Sequence, residues 1–183
     1  MMGHINSMLL RMVERHHGED GVARLLAMAG LSPREYHPEV IYPEKEFQAL
    51  YRAAKDLYGL GDEAAQKAFA DYFMEESPKK FPAIFKVAGS ARRLFEMVPT
   101  IHKQWPSAAS QGEFREKVTL VSSDSDRLVF KYDSPNRLCG VLRFVAENVL
   151  SHYGEQGAVT ETQCASKGAR WCEVEVRFSP PPP

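Results

Sequence analysis

The sequence predicts an α+β protein, with a helical N-terminal part and a C-terminal part that combines a four-stranded antiparallel sheet with one long helix. Two patterns support this fold class. Up to Pro106, apolar residues recur at the spacing of amphipathic helices. Beyond Pro106, short β-rich stretches alternate polar and apolar residues, as half-buried strands do. A chain of 183 residues is long enough for one sizeable core or two small subdomains.

Four helices are predicted before the central stretch of the chain. The first covers residues 2–17 and ends at Gly18, and the second runs from Asp20 to a stop at Gly30. A third contains Phe47 to Leu57, and a fourth begins with Asp62 as its cap. The sequence Lys79-Lys80-Phe81-Pro82 then breaks the chain.

The central stretch, residues 87–102, predicts a helix with an apolar face and a histidine near its end. Leu94, Phe95, Val98, Ile101 and His102 share that face, and Ser90 is a plausible N-cap. Pro99 cannot donate to the carbonyl of Phe95, so we expect a kink or restart there. A neutral imidazole on an apolar face is either a hydrogen-bonded core residue or a ligand of a metal or haem iron.

The C-terminal part predicts two hairpins separated by a helix. Residues 117–122 and 127–132 form the first hairpin, and 158–164 and 171–178 form the second. Between them, apolar residues from Leu138 to Leu150 form a helical stripe that reaches about Tyr153.

The composition excludes several classes of function. The 23 basic and 24 acidic residues are mixed along the chain, so the sequence shows no basic cluster of the kind that binds nucleic acid. No apolar run is long enough for a membrane span, and the N-terminus lacks the pattern of a signal peptide. Three cysteines form an odd set, which favours a reducing cytoplasm over a secreted disulfide framework. No Ser-His-Asp arrangement, phosphate loop or carboxylate pair indicates an enzyme.

Several separated stretches resemble the haem nitric oxide/oxygen-binding (H-NOX) family, in its bacterial form. They are Met2-Gly3-x-Ile5-Asn6, Gly18-Glu19, Ala29-Gly30, Ile101-His102, the segment from Tyr132 to Cys139, and Cys164-x-x-x-Gly168-x-x-x-Cys172. The resemblance implies one sensor domain over residues 1–183. Within it, residues 1–62 would form a distal helical part, 63–179 a proximal part with the sheet, and 180–183 a proline tail or linker.

The resemblance also implies a haem b cofactor with His102 as the axial ligand of a five-coordinate ferrous iron. Tyr132 and Ser134 would donate to the haem propionates, whose charge needs partners away from water. The arginine of the family's Tyr-x-Ser-x-Arg motif falls on Asn136, and Arg137 is the next residue. Taken alone, Tyr132 and Ser134 are equally explained as packing and helix-capping residues. The family's loop proline has no counterpart, because Gln111-Gly112-Glu113-Phe114 occupies that region.

On the distal side, the resemblance implies an apolar pocket. Ile5, Leu9 and Phe73 would form one wall, and Val141 or Leu142 stands where oxygen-binding relatives carry a tyrosine donor. A pocket without a donor favours NO and CO over O₂. The residues themselves also fit ordinary core positions.

The cysteines form a second candidate site. Cys139, Cys164 and Cys172 match three of the four cysteines that some bacterial relatives use to bind zinc or to oxidise, and the fourth position is Val141. Three thiolates with a histidine or water could hold zinc, but buried free cysteines also act as small hydrophobes.

Two functional hypotheses follow. The first is a gas sensor that binds NO and CO at a haem and signals to a partner protein. The partners that the resemblance implies are a histidine kinase, a diguanylate cyclase or a chemotaxis receptor. The second is a haem-free sensor of the same fold that responds to zinc or thiol oxidation through its cysteines.

Overall fold

The computed structural model describes residues 1–104 and 117–179, and the side chains of residues 102–104 fall outside that description. The described residues form two compact units. The first contains Met1–Ala65, and the second contains Gln66–Gln104 and residues 117–179. Among the described helices, none has both the length and the apolar content needed to cross a membrane.

The first unit is built from two helices, α1 (Gly3–Ala29) and α2 (Glu44–Tyr58). Helix α1 is interrupted at Gly18, whose φ of 66° and ψ of −171° are not helical. Glycine reaches this conformation without steric cost, which explains why the two predicted helices meet there. The two helices pack against each other through fully buried side chains. These include Leu9, Val13, Leu25, Phe47 and Leu50.

The second unit begins with three successive helices, α3 (Asp62–Lys80), α4 (Pro82–Ala88) and α5 (Ala91–Gln104). Helix α3 begins in the first unit and continues into the second. The break predicted around Pro82 is present, although α4 was not predicted as a separate helix. Ser90 caps α5, because its Oγ accepts the backbone N–H of Arg93 at 3.2 Å.

Helix α5 continues across Pro99, so the helix does not restart there, and the alternative of a kink stays a prediction. A proline inside a helix costs about 3 kcal/mol through its missing hydrogen bond and its steric clash. Burial of Leu94 and Phe95 on the preceding turns offsets part of that cost.

A four-stranded antiparallel sheet and helix α6 complete the second unit. The strands are β1 (Val118–Ser123), β2 (Arg127–Tyr132), β3 (Gly157–Gln163) and β4 (Cys172–Phe178), in the order β1-β2-β4-β3. Helix α6 (Cys139–Tyr153) packs against β3 and β4. On the buried face of the sheet, Leu128, Val174 and Val176 are 0% exposed. The predicted fold class is therefore confirmed, together with both hairpins and the intervening helix.

Candidate functional site

The histidine proposed as a ligand lies in the last turn of helix α5. The backbone of His102 is helical, and its side chain lies outside the described residues. Of the apolar face predicted for this helix, Leu94 and Phe95 are buried and Val98 and Ile101 are half-buried. The helix therefore places its apolar face where the sequence predicted it.

The other end of α5 is fixed by two long-range interactions. A carboxylate oxygen of Glu155, just beyond α6, accepts the first backbone N–H of the helix, from Ala91, at 2.8 Å. The guanidinium of Arg92 donates to the β1–β2 turn, at 3.1 Å to the carbonyl of Ser125 and 3.2 Å to Oγ of Ser123. Neither interaction was predicted, because each joins residues far apart in the sequence. Together they hold the first turn of α5 while leaving the last turn without these contacts.

The segment after β2 carries the predicted propionate-binding residues in a tight turn. Tyr132 is buried at the end of the strand, opposite Cys172 of β4. Ser134 is half-buried, and its Oγ accepts the backbone N–H of Asn136 at 3.3 Å. Because that bond uses only a lone pair of the oxygen, the hydroxyl proton of Ser134 remains able to donate to a carboxylate.

The same turn separates the two candidates for the arginine position. Arg137 has a φ of 51°, and its backbone N–H bonds to the carbonyl of Ser134 at 3.2 Å. Its side chain is exposed, whereas Asn136 is half-buried. The turn therefore leaves Arg137 exposed and Asn136 partly covered, and Ser134 keeps a hydroxyl proton that a carboxylate could accept.

The predicted distal residues are divided between the two units. Ile5 and Leu9 lie on α1 of the first unit, half-buried and buried respectively. Phe73 on α3 and Val141 and Leu142 in the first turn of α6 belong to the second unit, and all three are half-buried. The distal role of these five residues stays a prediction.

One residue that the sequence did not reveal holds the first turn of α6. Oε1 of Gln66, on α3, accepts the backbone N–H of Val141 at 3.1 Å, and Leu138 at the N-cap makes no side-chain cap. A Cβ on Gly140 would lie 2.4 Å from that oxygen, so a larger residue here would push the Gln66 side chain away from this contact. A glycine inside an otherwise apolar helical stripe was the available signal.

The three cysteines do come together, as a buried cluster in the second unit. Their Sγ atoms all lie within 4.8 Å of one another, and those of Cys139 and Cys164 are 3.3 Å apart. Oγ of Ser166 is 2.9 Å from Sγ of Cys164, and the backbone N–H of Ala165 donates to Sγ of Cys172 at 3.2 Å. We call Cys139, Cys164 and Cys172 the thiol cluster.

The surroundings give the three thiols different acidities. Burial raises the pKa of Cys139 well above its usual value, and it also raises the pKa of Cys172. Burial acts in the same direction on Cys164, but hydrogen bonds from Ser166 and Cys139 outweigh it and lower the pKa of that thiol. Cys164 is therefore the thiol of the cluster that ionises first, which favours it as nucleophile or metal ligand.

A carboxylate also adjoins the thiol cluster. Glu161 on β3 pairs with the ammonium of Lys167 at 3.1 Å. Burial acts to raise the pKa of Glu161, but hydrogen bonds from Lys167 and from the thiols of Cys139 and Cys164 outweigh it and lower that pKa, so the carboxyl is held ionised. An ionised carboxylate therefore lies beside the three sulfur atoms of the cluster.

Comparison with solved structures shows which class of proteins shares the fold of this chain. An H-NOX protein from S. oneidensis in the Fe(II)NO ligation state superposes with a TM-score of 0.81 at 16% identity, covering 98% of this chain and 100% of that one. A variant of Tt H-NOX gives 0.79 at 18% identity, with 100% and 97% coverage. An oxygen-binding H-NOX domain related to soluble guanylate cyclases, in its oxygen complex, gives 0.78 at 18% identity, with 99% and 96% coverage. The fold is that of the haem-binding H-NOX gas-sensor domains.

The family follows from the sequence itself. A sequence model of the Haem-NO-binding family matches residues 2–161. No curated protein matches the chain. The chain belongs to the Haem-NO-binding family, and the resemblance noted in the sequence is confirmed.

Proposed function

We propose that the protein is a haem-based gas sensor that binds haem b through His102 and reports NO and CO to a partner protein. The observation that carries this proposal is the place of His102 in the last turn of α5, within a chain of the Haem-NO-binding family. When bound, haem supplies a ferrous iron with one coordination position open to a gas. We expect purified protein reconstituted with haem to show one Soret band at a stoichiometry of one haem per chain.

The residues of the β2–α6 segment would hold the haem carboxylates. In this proposal Tyr132 and Ser134 donate from their hydroxyls, and Arg137 or Asn136 supplies a further polar contact. The available proton of Ser134 and the burial of Tyr132 support this assignment, because a carboxylate leaving water needs donors in a poorly solvated place.

We further propose that the protein acts as one sensor domain, with residues 1–62 distal, 63–179 proximal and 180–183 a tail or linker. Residues 111–114 and 180–183 lie outside the described residues. A signalling role with a histidine kinase, a diguanylate cyclase or a chemotaxis receptor, rather than catalysis, follows from the family resemblance. A cytoplasmic setting fits the free thiols of Cys139, Cys164 and Cys172, which persist in reducing compartments.

Ligand selectivity provides a direct prediction. Val141 and Leu142 offer no side-chain donor, so the ferrous protein should bind NO and CO while failing to retain O₂ in air. Replacing Val141 with Tyr should raise the O₂ affinity, by about tenfold for one added neutral hydrogen bond. The measurement is O₂ titration by absorbance under a controlled atmosphere.

The matched control is Val141→Phe, which adds the ring without the hydroxyl. We expect it to leave O₂ affinity near that of the parent protein. A parent protein that already retains O₂ in air, or equal affinities for the tyrosine and phenylalanine variants, would contradict the selectivity assigned to Val141.

The thiol cluster favours a second candidate function, a haem-free sensor of zinc or thiol oxidation. Three sulfurs within 4.8 Å suit a tetrahedral zinc with one further ligand. Alternatively, the thiols of Cys139 and Cys164 could join as a disulfide, releasing two protons and two electrons to an oxidant such as hydrogen peroxide. Their sulfurs, now 3.3 Å apart, would need to approach to about 2.05 Å.

Cysteine variants separate the two uses of the cluster. We expect Cys139→Ser and Cys164→Ser to abolish both zinc binding and the peroxide-induced disulfide. Cys172→Ser should weaken zinc binding but leave the disulfide between the other two, detected by mass spectrometry as a loss of two hydrogens. If all three thiols remain alkylatable after peroxide and the parent binds no zinc, the cluster is ordinary core packing.

A further inference from the structure

The thiol cluster supplies three sulfur ligands and no fourth protein ligand that is equally close to all of them. In the described part of the chain, no histidine nitrogen or carboxylate oxygen lies within 4.8 Å of all three Sγ atoms. The side chain of Val141, at the fourth cysteine position of the family resemblance, has no atom that binds a metal. Zinc would need a further ligand from elsewhere, whereas an atom that binds three sulfurs would find its ligands complete.

The spacing of two of the sulfur atoms is shorter than in a zinc site. Two sulfurs bound to tetrahedral zinc, with Zn–S bonds of about 2.3 Å, lie about 3.8 Å apart. Sγ of Cys139 and Sγ of Cys164 are 3.3 Å apart. A pyramidal centre with three bonds and a lone pair has smaller bond angles than a tetrahedral centre, so it holds its sulfurs closer together. Trivalent arsenic forms such a centre with three thiols.

Burial of the cluster favours a bound state without net charge. Cys139, Cys164 and Cys172 are 4%, 5% and 1% exposed, and burial raises the pKa of Cys139 and of Cys172. Zinc binds thiolates, so three sulfurs and Zn²⁺ would carry one net negative charge beside the ionised carboxylate of Glu161. Three neutral thiols that condense with a neutral acid of arsenic would bury no net charge.

We propose that the thiol cluster is a binding site for trivalent arsenic, taken up as arsenous acid and held by the sulfurs of Cys139, Cys164 and Cys172. Arsenous acid, As(OH)₃, forms three As–S bonds with three thiols and releases three molecules of water. Each thiol proton leaves with a hydroxyl group of the acid. Arsenic stays trivalent, so the step needs no oxidant or reductant.

Cys164 is the thiol that attacks arsenic first. It ionises more readily than the other two, and it precedes a loop in which Ser166 and Lys167 are exposed to solvent. Cys139 and Cys172 then complete the site from α6 and β4. The inference goes beyond both candidate functions, because it requires neither haem nor zinc.

The test uses the full chain with sodium arsenite as the probe, reduced with a phosphine because dithiol reductants bind arsenite themselves. We expect one arsenic per chain, a mass gain of one arsenic atom less three hydrogen atoms, and protection of all three thiols from alkylation. Calorimetry in buffers of different ionisation enthalpy should show no net proton release, whereas zinc displaces protons from thiols. Protection of fewer than three thiols, or proton release on binding, would overturn the three-sulfur site.

The Cys172→Ser variant distinguishes a three-sulfur site from a pair of neighbouring thiols. It should lose tight binding of arsenite and keep that of phenylarsine oxide, which needs only two thiols, because Cys139 and Cys164 are 3.3 Å apart in the parent. Ser166→Ala is the matched control: it removes a polar neighbour of Cys164 but no sulfur, so it should still bind one arsenic per chain. Arsenite bound as tightly by Cys172→Ser as by the parent, or by neither protein, would overturn the proposal.

Discussion

The His102→Gly protein is expected to lose the Soret band that the parent shows after reconstitution with haem. His102 would provide the one protein nitrogen bound to the iron, and glycine removes that nitrogen and leaves room in its place. Adding free imidazole to His102→Gly should restore the band, because imidazole supplies the same donor atom in the same space. The measurement is the absorbance of parent and variant at equal haem concentration, with and without imidazole.

A second histidine gives the matched control for this experiment. His152 lies near the end of α6, with its ring 5.1 Å from that of Phe85. His152→Gln should leave the haem spectrum unchanged. If His102→Gly and the parent have identical spectra, the axial ligand is another residue, whereas absence of haem in both would favour the thiol cluster as the sensing site.

Addition of NO to the ferrous protein is expected to produce the spectrum of a five-coordinate haem, with His102 released. If His102 holds the haem iron as proposed, NO would compete with it and the imidazole would be released. The last turn of α5 would then lose its tether, while the first turn keeps its contacts with Glu155 and with the β1–β2 turn through Arg92. Hydrogen exchange should accelerate after Pro99, which lacks one stabilising hydrogen bond, and remain slow over residues 91–96.

Removing the anchor of the first turn tests this division of the helix. Glu155→Ala deletes the acceptor for the N–H of Ala91, so we expect the NO-induced increase in exchange to spread to residues 91–96. Val87→Ala, at an exposed position on α4, serves as the control and should leave the pattern unchanged. A six-coordinate spectrum with unchanged exchange would mean that His102 stays bound and that α5 has no part in signalling. A partner can read the change only if its affinity differs between the two states of the helix.

The local features of the fold could be predicted because each depends on residues close together in the chain. Glycine at position 18 allows the backbone angles that interrupt α1, and Ser90 sits within reach of the N–H groups that it caps. Polar and apolar residues alternate along β1 and β2, and a short polar turn joins the two strands. The motifs that resemble the family, which include His102 and Tyr132, could likewise be read directly from the sequence. At Pro99 only the predicted restart failed, since α5 continues through that residue, and the alternative of a kink stays a prediction.

The long-range pairings were decided only by the tertiary structure. The sequence placed Cys139, Cys164 and Cys172 on three separate elements, and only the packing of α6 against β3 and β4 brings their sulfurs within 4.8 Å. The contact between Gln66 and Val141 depends in the same way on which elements meet. The physical reason is that a helix or a hairpin closes its own hydrogen bonds locally. The partner of a side chain is chosen by the burial of whole faces, to which residues far apart in the sequence contribute.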